Sequence, residues 1–233
     1  MTKQHTMKLF LVLISIFTSF VAGAQKLTTI SLASDGSLKH FLFQLPEDVV
    51  VQIGRDGQLQ SWGVDVLLPY NDPFRSRLEP YTGRVAYYGP NVDSAFRGKI
   101  RSIGQVVFTW YASYEYESLK GKLKSIGNLP IDYYLDYENE AYRGAVKMIG
   151  PDRVMWYASF DNEALRGKLS MYASIPLTYY SSFDDPLIKG KVKAIGRNSF
   201  TYYGTYDRSE YRGGYKTGGP YVTVDRIRFT IGL

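Results

Sequence analysis

The chain has 233 residues, with 28 Lys and Arg against 22 Asp and Glu, 21 Tyr and no Cys. The absence of cysteine excludes disulfides, thiolate nucleophiles, thiolate metal sites and a lipid-bearing N-terminal cysteine. A net charge of +6 permits an anionic partner without demanding one.

Residues 1–24 read as a signal peptide. Lys3 and Lys8 form a basic front, Leu9 to Val21 is an uncharged apolar run, and Ala22-Gly23-Ala24 offers small residues for cleavage before Gln25. The run is shorter than the roughly 20 apolar residues of a membrane span. The expected product is an exported chain in the periplasm, at the cell surface or in the medium. Without Lys3 and Lys8 the 28 basic residues become 26, against 22 acidic ones, a mild excess. Its length suits one domain with a sizeable core.

Residues 25–72 read as β-strands that cap the array behind them. Leu27 to Ala33, Leu38 to Leu45, Val49 to Ile53 and Leu59 to Val64 are the expected strands, with hairpin turns at Asp35-Gly36 and Asp56-Gly57. His40 lies in Lys39-His40-Phe41-Leu42-Phe43, which alternates as a strand does. An enzyme site in this part would draw on His40, Glu47 and Asp48. No G-x-S-x-G elbow accompanies the histidine, so no catalytic residue, cofactor or metal is expected.

Residues 73–219 are a repeat array. Gly98, Gly121, Gly144, Gly167, Gly190 and Gly213 follow one another at 23-residue steps without insertion or deletion. A fixed period of this size marks stacked structural units. Pro73-Phe74-Arg75-Ser76-Arg77-Leu78 is an imperfect first copy. Counting each glycine as position 0, position −1 is always Lys or Arg, position +2 is aliphatic or aromatic, and position +6 is Gly or Ala in all six units. A second apolar run follows, as in Val154-Met155-Trp156-Tyr157, and then an acidic turn such as Asp161-Asn162-Glu163.

Two alternating runs separated by turn residues predict a β-hairpin. Twenty-three residues are too few for a βαβ unit, which takes about 30. The fold class expected is therefore all-β: an antiparallel meander of tandem hairpins forming a curved or closed sheet. A three-residue turn at +7 to +9 puts every uncharged position on one face and sets glycine 0 opposite the aromatic residue at +16, whose ring would cover the bare backbone. Residues 220–233 read as a terminal strand, diverging from the repeat so as to blunt an exposed edge.

The opposite face is expected to carry a lattice of tyrosines and bases: Tyr111, Tyr134, Tyr157, Tyr180 and Tyr203 at +13, with Lys99, Arg101, Lys122, Lys124, Lys147, Lys168, Lys191 and Lys193 at +1 and +3. Rings stack on flat ligands and ammonium groups attract anions, so these are the candidate binding residues. The recurring acids are read as turn formers and ion-pair partners, because a glycosidase pair is unique and spans a cleft. No loop has the dense oxygen ligands of a calcium site.

Tyr133-Tyr134 and Tyr202-Tyr203 ahead of an acidic turn, followed by Gly-Lys-Leu or Gly-Lys-Val, resemble the tandem hairpin-repeat proteins of the YD, WG and MORN kinds. The resemblance implies a strand meander used as shell or scaffold and carries over no catalytic residue. The functional expectation is a non-enzymatic binding or scaffold protein of the bacterial cell envelope, its partner an anionic polysaccharide or an envelope protein rather than nucleic acid. The alternative is an outer-membrane β-barrel, which the signal peptide and charge-free face fit but strands of seven or eight residues do not, since membrane strands take about 9 to 11.

Overall fold

The computed structural model describes residues 25–67 and 76–232. The segment read as a signal peptide, the first three residues of the imperfect repeat and Leu233 lie outside them. Among the described residues the chain forms strands and turns, with no helix. The N-terminal part supplies β1 (Lys26–Leu32), β2 (Leu38–Gln44), β3 (Val49–Ile53), β4 (Leu59–Leu67) and β5 (Ser76–Glu79). The expected strands and both hairpin turns fall in these places. Gly36 and Gly57, at φ 82 and 77, take the left-handed conformation that these turns require.

The array begins at β6 (Val85–Tyr87). Each unit then adds a four-residue and a five-residue strand: β7 (Ile100–Ile103) and β8 (Val106–Trp110), β9 (Leu123–Ile126) and β10 (Leu129–Tyr133), β11 (Val146–Ile149) and β12 (Asp152–Trp156), β13 (Leu169–Tyr172) and β14 (Ile175–Tyr179). The last units give β15 (Val192–Ile195), β16 (Asn198–Ser199), β17 (Thr201–Tyr202), β18 (Tyr215–Thr217) and β19 (Tyr221–Val224), before β20 (Ile227–Ile231).

Two sheets result. The array is an eleven-stranded antiparallel meander from β6 to β16, continued by the two-stranded β17–β18 ladder. The second sheet has seven strands in the order β19-β20-β1-β2-β3-β4-β5, with β1 and β20 parallel. Both ends of the array cross into this second sheet. The imperfect unit places its first strand, β5, beside β4 and its second, β6, beside β7. At the other end β19 leaves the repeat ladder and pairs with β20. Among the described residues no ladder joins the two ends of the meander.

The apolar faces of the sheets share one core. Phe41, Phe43, Val51, Ile53 and Phe229 come from the seven-stranded sheet, and Phe108, Leu123, Ile131, Val154 and Leu177 from the array. Trp110 and Trp156 are buried within it. Each donates its indole N–H to a carbonyl of its own unit, Ile100 and Val146, at 2.8 Å. Tyr133 and Tyr179 at the same position donate hydroxyls to Leu123 and Leu169 at 2.7 Å.

The register differs from the expected one, and the difference decides which side chains are inside. The hairpin turn holds two residues, +6 and +7, so Ile103 faces Val106 and Ser102 faces Val107. Glycine at +6, with φ from 55 to 58 in Gly104, Gly127, Gly150 and Gly196, closes this tight turn, which a side chain disfavours. Simple alternation would place +2 and +5, three residues apart on one strand, on opposite faces. A β-bulge between +11 and +12, opposite +3 of the next unit, restores the phase: Thr109 pairs with Ser125 but Trp110 with Leu123. Positions +2, +5, +10 and +12 are then buried in the first five units, and +8 is buried where it is Val106 or Ile175.

The expected ring over glycine 0 is absent. The six glycines are required by backbone conformation, with φ between 70 and 78, where any other residue is strained. A methyl group added at Gly98 would meet nothing within 4 Å, so crowding is not the reason for glycine there. The +16 aromatics point into solvent instead.

Candidate binding surface

The tyrosine–lysine lattice forms, as an internal framework. Tyr111, Tyr134, Tyr157 and Tyr180 donate their hydroxyls to the carbonyls of Ile131, Val154, Leu177 and Phe200, all at 3.0–3.1 Å. Each of these carbonyls lies 20 residues ahead, in the next unit, so every tyrosine ties one hairpin to its successor. Tyr203 stacks on Tyr211 at 5.3 Å. Burial raises the hydroxyl pKa of Tyr111, to about 12, helped by the nearby Asp132 and Glu115 carboxylates.

The lysines fall into two sets. At +1, Lys99, Lys122, Lys168 and Lys191 donate to the carbonyls of Gly121, Gly144, Gly190 and Gly213. The same ammonium groups lie 4.6–5.3 Å from the ring centres of Trp110, Tyr133, Tyr179 and Tyr202, and burial lowers their pKa. At +3, Lys124, Lys147 and Lys193 lie over Tyr111, Tyr134 and Tyr180 at 4.9–5.5 Å. Lys124 and Lys147 also pair with Glu115 and Glu138, at 2.7 and 3.1 Å. Arg101 is exposed.

Two of the six units lack the +1 lysine, the last with Gly214 and the third with Ala145 in its place, and at Ala145 a substitute is supplied. Arg55, from the turn between β3 and β4, takes over the lysine's role. The Arg55 guanidinium lies 4.9 Å from the Trp156 ring centre and donates to the Ala141 carbonyl. Its own carbonyl accepts from the Val146 amide at 2.8 Å. The second sheet thus replaces a missing part of the repeat.

The loops after each second strand line up along one edge of the array. Two hydrogen-bond devices hold them. The +17 carboxylate of Glu115, Glu138, Asp161, Asp184 or Asp207 accepts from the amide three residues before it. The +18 side chain then clasps the next loop. Asp93 accepts the amide and hydroxyl of Ser113, Asn139 engages Ser159, Asn162 engages Ser182, and Asp185 accepts from Thr205. Hydrogen bonds to backbone and side-chain donors hold the Asp93, Asp184 and Asp185 carboxyls below their usual pKa. Sequence reasoning missed this clasp, although its signal, an Asx followed 20 residues later by Ser or Thr, recurs at the repeat period.

The tips of these loops carry Tyr114, Tyr137, Phe160, Phe183 and Tyr206, between 81% and 100% exposed. The clasp is interrupted once, where Tyr116 and Asp136 replace the Asx and Ser/Thr partners. There Tyr116, itself 68% exposed, lies beside Tyr114 in an open hollow of about 430 Å³ with Glu115 and Leu119.

A second concave region lies on the outer face of the seven-stranded sheet. It is a polar groove of about 510 Å³ whose lining includes Ser31, His40, Gln52, Asp65 and Arg228. Burial and the adjacent Lys39 lower the His40 pKa to about 4. Glu47 faces a different hollow with Tyr81, and Asp48 sits in the β2–β3 turn at φ 56. His40, Glu47 and Asp48 therefore do not converge. Among the described residues no group of three His, Asp or Glu side chains has metal-binding geometry. No family model, curated protein or solved structure matches the chain.

Proposed function

We propose that this is a non-enzymatic binding or scaffold protein, exported to the bacterial envelope, that engages an extended polymer along its array. The observation that carries the reading is the repetition of one rigid loop along one edge of the sheet. A ligand that repeats along its own length meets the same chemistry at each unit, and weak contacts then add.

Three further features support it. The loops are clasped to one another, so little conformational freedom is lost on binding. The apolar faces of both sheets meet in a shared core, which favours a polar exterior over a lipid-facing band. The lysines at +1 and +3 are engaged within the protein, which moves the expected contact from the lattice to the loop edge.

The test is co-sedimentation of the chain from Gln25 onward with purified insoluble envelope polysaccharide. Saturable co-sedimentation is expected. A protein that stays in the supernatant at every polysaccharide concentration overturns the reading.

A further inference from the structure

The row of aromatic tips is the most regular exposed feature of the molecule, and the fold does not use it. Tyr114, Tyr137, Phe160, Phe183 and Tyr206 occur at one repeat position, each is almost fully exposed, and none is needed to close the core. Elsewhere in the array most aromatic residues are buried or hydrogen-bonded, Tyr87, Tyr116 and Tyr211 apart. Five rings held in water at a fixed period need a reason beyond stability.

We propose that these rings form a rail for an uncharged, extended β-linked glycan, with one ring stacking on alternate sugars. This rests on the polymer-binding reading and assigns its site and ligand chemistry. Four observations carry it.

The first is spacing. Equivalent residues of successive units lie two strands apart, about 9.5 Å, close to the length of two 1,4-linked pyranose rings in an extended chain. The second is chemistry. Position +16 accepts Phe and Tyr alike, so the ring face is the common element and the hydroxyl is dispensable. Flat apolar faces with polar rims, as a sugar has, are what an isolated ring recognises; a protein partner would need a contiguous apolar centre.

The third is charge. The residues between the rings neutralise each other. Glu117 pairs with Lys120 at 3.2 Å, Glu140 with Arg143 at 3.9 Å, and Glu163 with Lys189 of the following loop at 2.7 Å. Arg166 bonds the Asp161 carbonyl instead, but it stands between paired neighbours and forms no continuous basic stripe to select an anionic polymer, so the expected ligand changes from an anionic to a neutral polysaccharide. The fourth is preorganisation. The clasps between neighbouring loops, 2.7–2.9 Å in Asn162–Ser182 and Asp185–Thr205, hold successive rings in a line. Where the clasp is interrupted, Tyr116 adds a second ring beside Tyr114 and makes the strongest single subsite.

The experiment measures binding of the chain from Gln25 onward to neutral β-1,4-linked oligosaccharides of two to ten sugars, with polygalacturonate as the anionic control. Affinity should rise with length up to about ten sugars, one ring per two sugars along the five-ring rail, and should persist in high salt. Phe160→Ala with Phe183→Ala should weaken binding about tenfold or more, since stacking on an aromatic ring contributes on that scale. Tyr114→Ala with Tyr116→Ala should do the same. These side chains are outside the core, so unaltered thermal unfolding of the variants separates lost binding from lost folding. Envelope co-sedimentation that survives both double variants, or a salt-sensitive preference for polygalacturonate, overturns the rail and leaves the polymer-binding reading standing. No binding to envelope or oligosaccharide overturns both.

Discussion

The two sheets of this protein are built by different rules. In the array most hairpins contact their neighbours through the same set of bonds: a lysine to a glycine carbonyl, a tyrosine to the carbonyl 20 residues ahead, an Asx side chain to the next loop. Its stability is a sum of similar small interfaces. The seven-stranded sheet has no internal period and holds the ends of the chain together through the parallel β1–β20 pair. Besides the shared core, it meets the array through contacts that lie outside the repeat pattern, such as Arg55 over Trp156 and Gly57 against Tyr133. Repetition tolerates local damage because neighbours compensate; a contact made once does not.

That contrast can be broken most severely at Trp156, which belongs to both regimes. Trp156→Ala removes a buried ring, orphans the Val146 carbonyl and strips Arg55 of its aromatic face. A loss of about 4 kcal/mol is expected, measured by urea unfolding.

Glycines sharpen the comparison. Gly57→Ala drives a methyl group into the Tyr133 hydroxyl and ring at φ 77, so strain and overpacking together should cost about 3 kcal/mol. Gly98→Ala meets nothing within 4 Å at φ 75 and should cost only about 1–2 kcal/mol. Equal losses at the two sites would refute the distinction between the sheets.

A smaller change is expected at one clasp. Asn162→Ala frees Ser182 and should destabilise by about 1 kcal/mol, with amide exchange accelerated at Ser182 and little changed beyond the adjoining loops. Conversely, Tyr116→Asn with Asp136→Ser installs the clasp that this junction lacks and should slow exchange at residue 136.

The smallest effect belongs to the seven-stranded sheet. Burial and Lys39 hold His40 at about 4, against an ordinary value of 6.5. Below pH 6.5 the unfolded chain takes up this proton before the folded one does. Stability therefore falls as the pH drops from 6.5 toward 4, by on the order of 1 kcal/mol once partial solvent screening is allowed for. His40→Gln should flatten this stretch of the stability–pH curve.

Much of this fold is legible in the residues. The 23-residue glycine period identifies the units, and apolar +2, +10 and +12 identify their core side. The four N-terminal strands and the turns at Asp35-Gly36 and Asp56-Gly57 follow from alternation and turn chemistry. The candidate surface is harder to read. The parity of a strand depends on how many residues its turn holds and on whether a bulge intervenes, and one residue reverses it. Phe160 and Phe183 belong inside only if the second strand runs on to +16; it ends at Trp156 and Tyr179, so these rings fall in the following loop and stand in water. The Lys99 and Tyr157 side chains look available in the sequence because nothing local shows which carbonyls, 20 or 22 residues away, they reach.

Local chemistry determined that the chain forms hairpins, where glycine must stand, and which strand positions are apolar, because these depend on backbone conformation and on neighbours a few residues apart. Only the tertiary structure decided that both ends of the array cross into a second sheet, that Arg55 replaces the lysine missing at Ala145, and that one row of rings is left outside. Those outcomes depend on contacts between residues distant in the chain, whose geometry is set by the packing of two sheets rather than by any one unit.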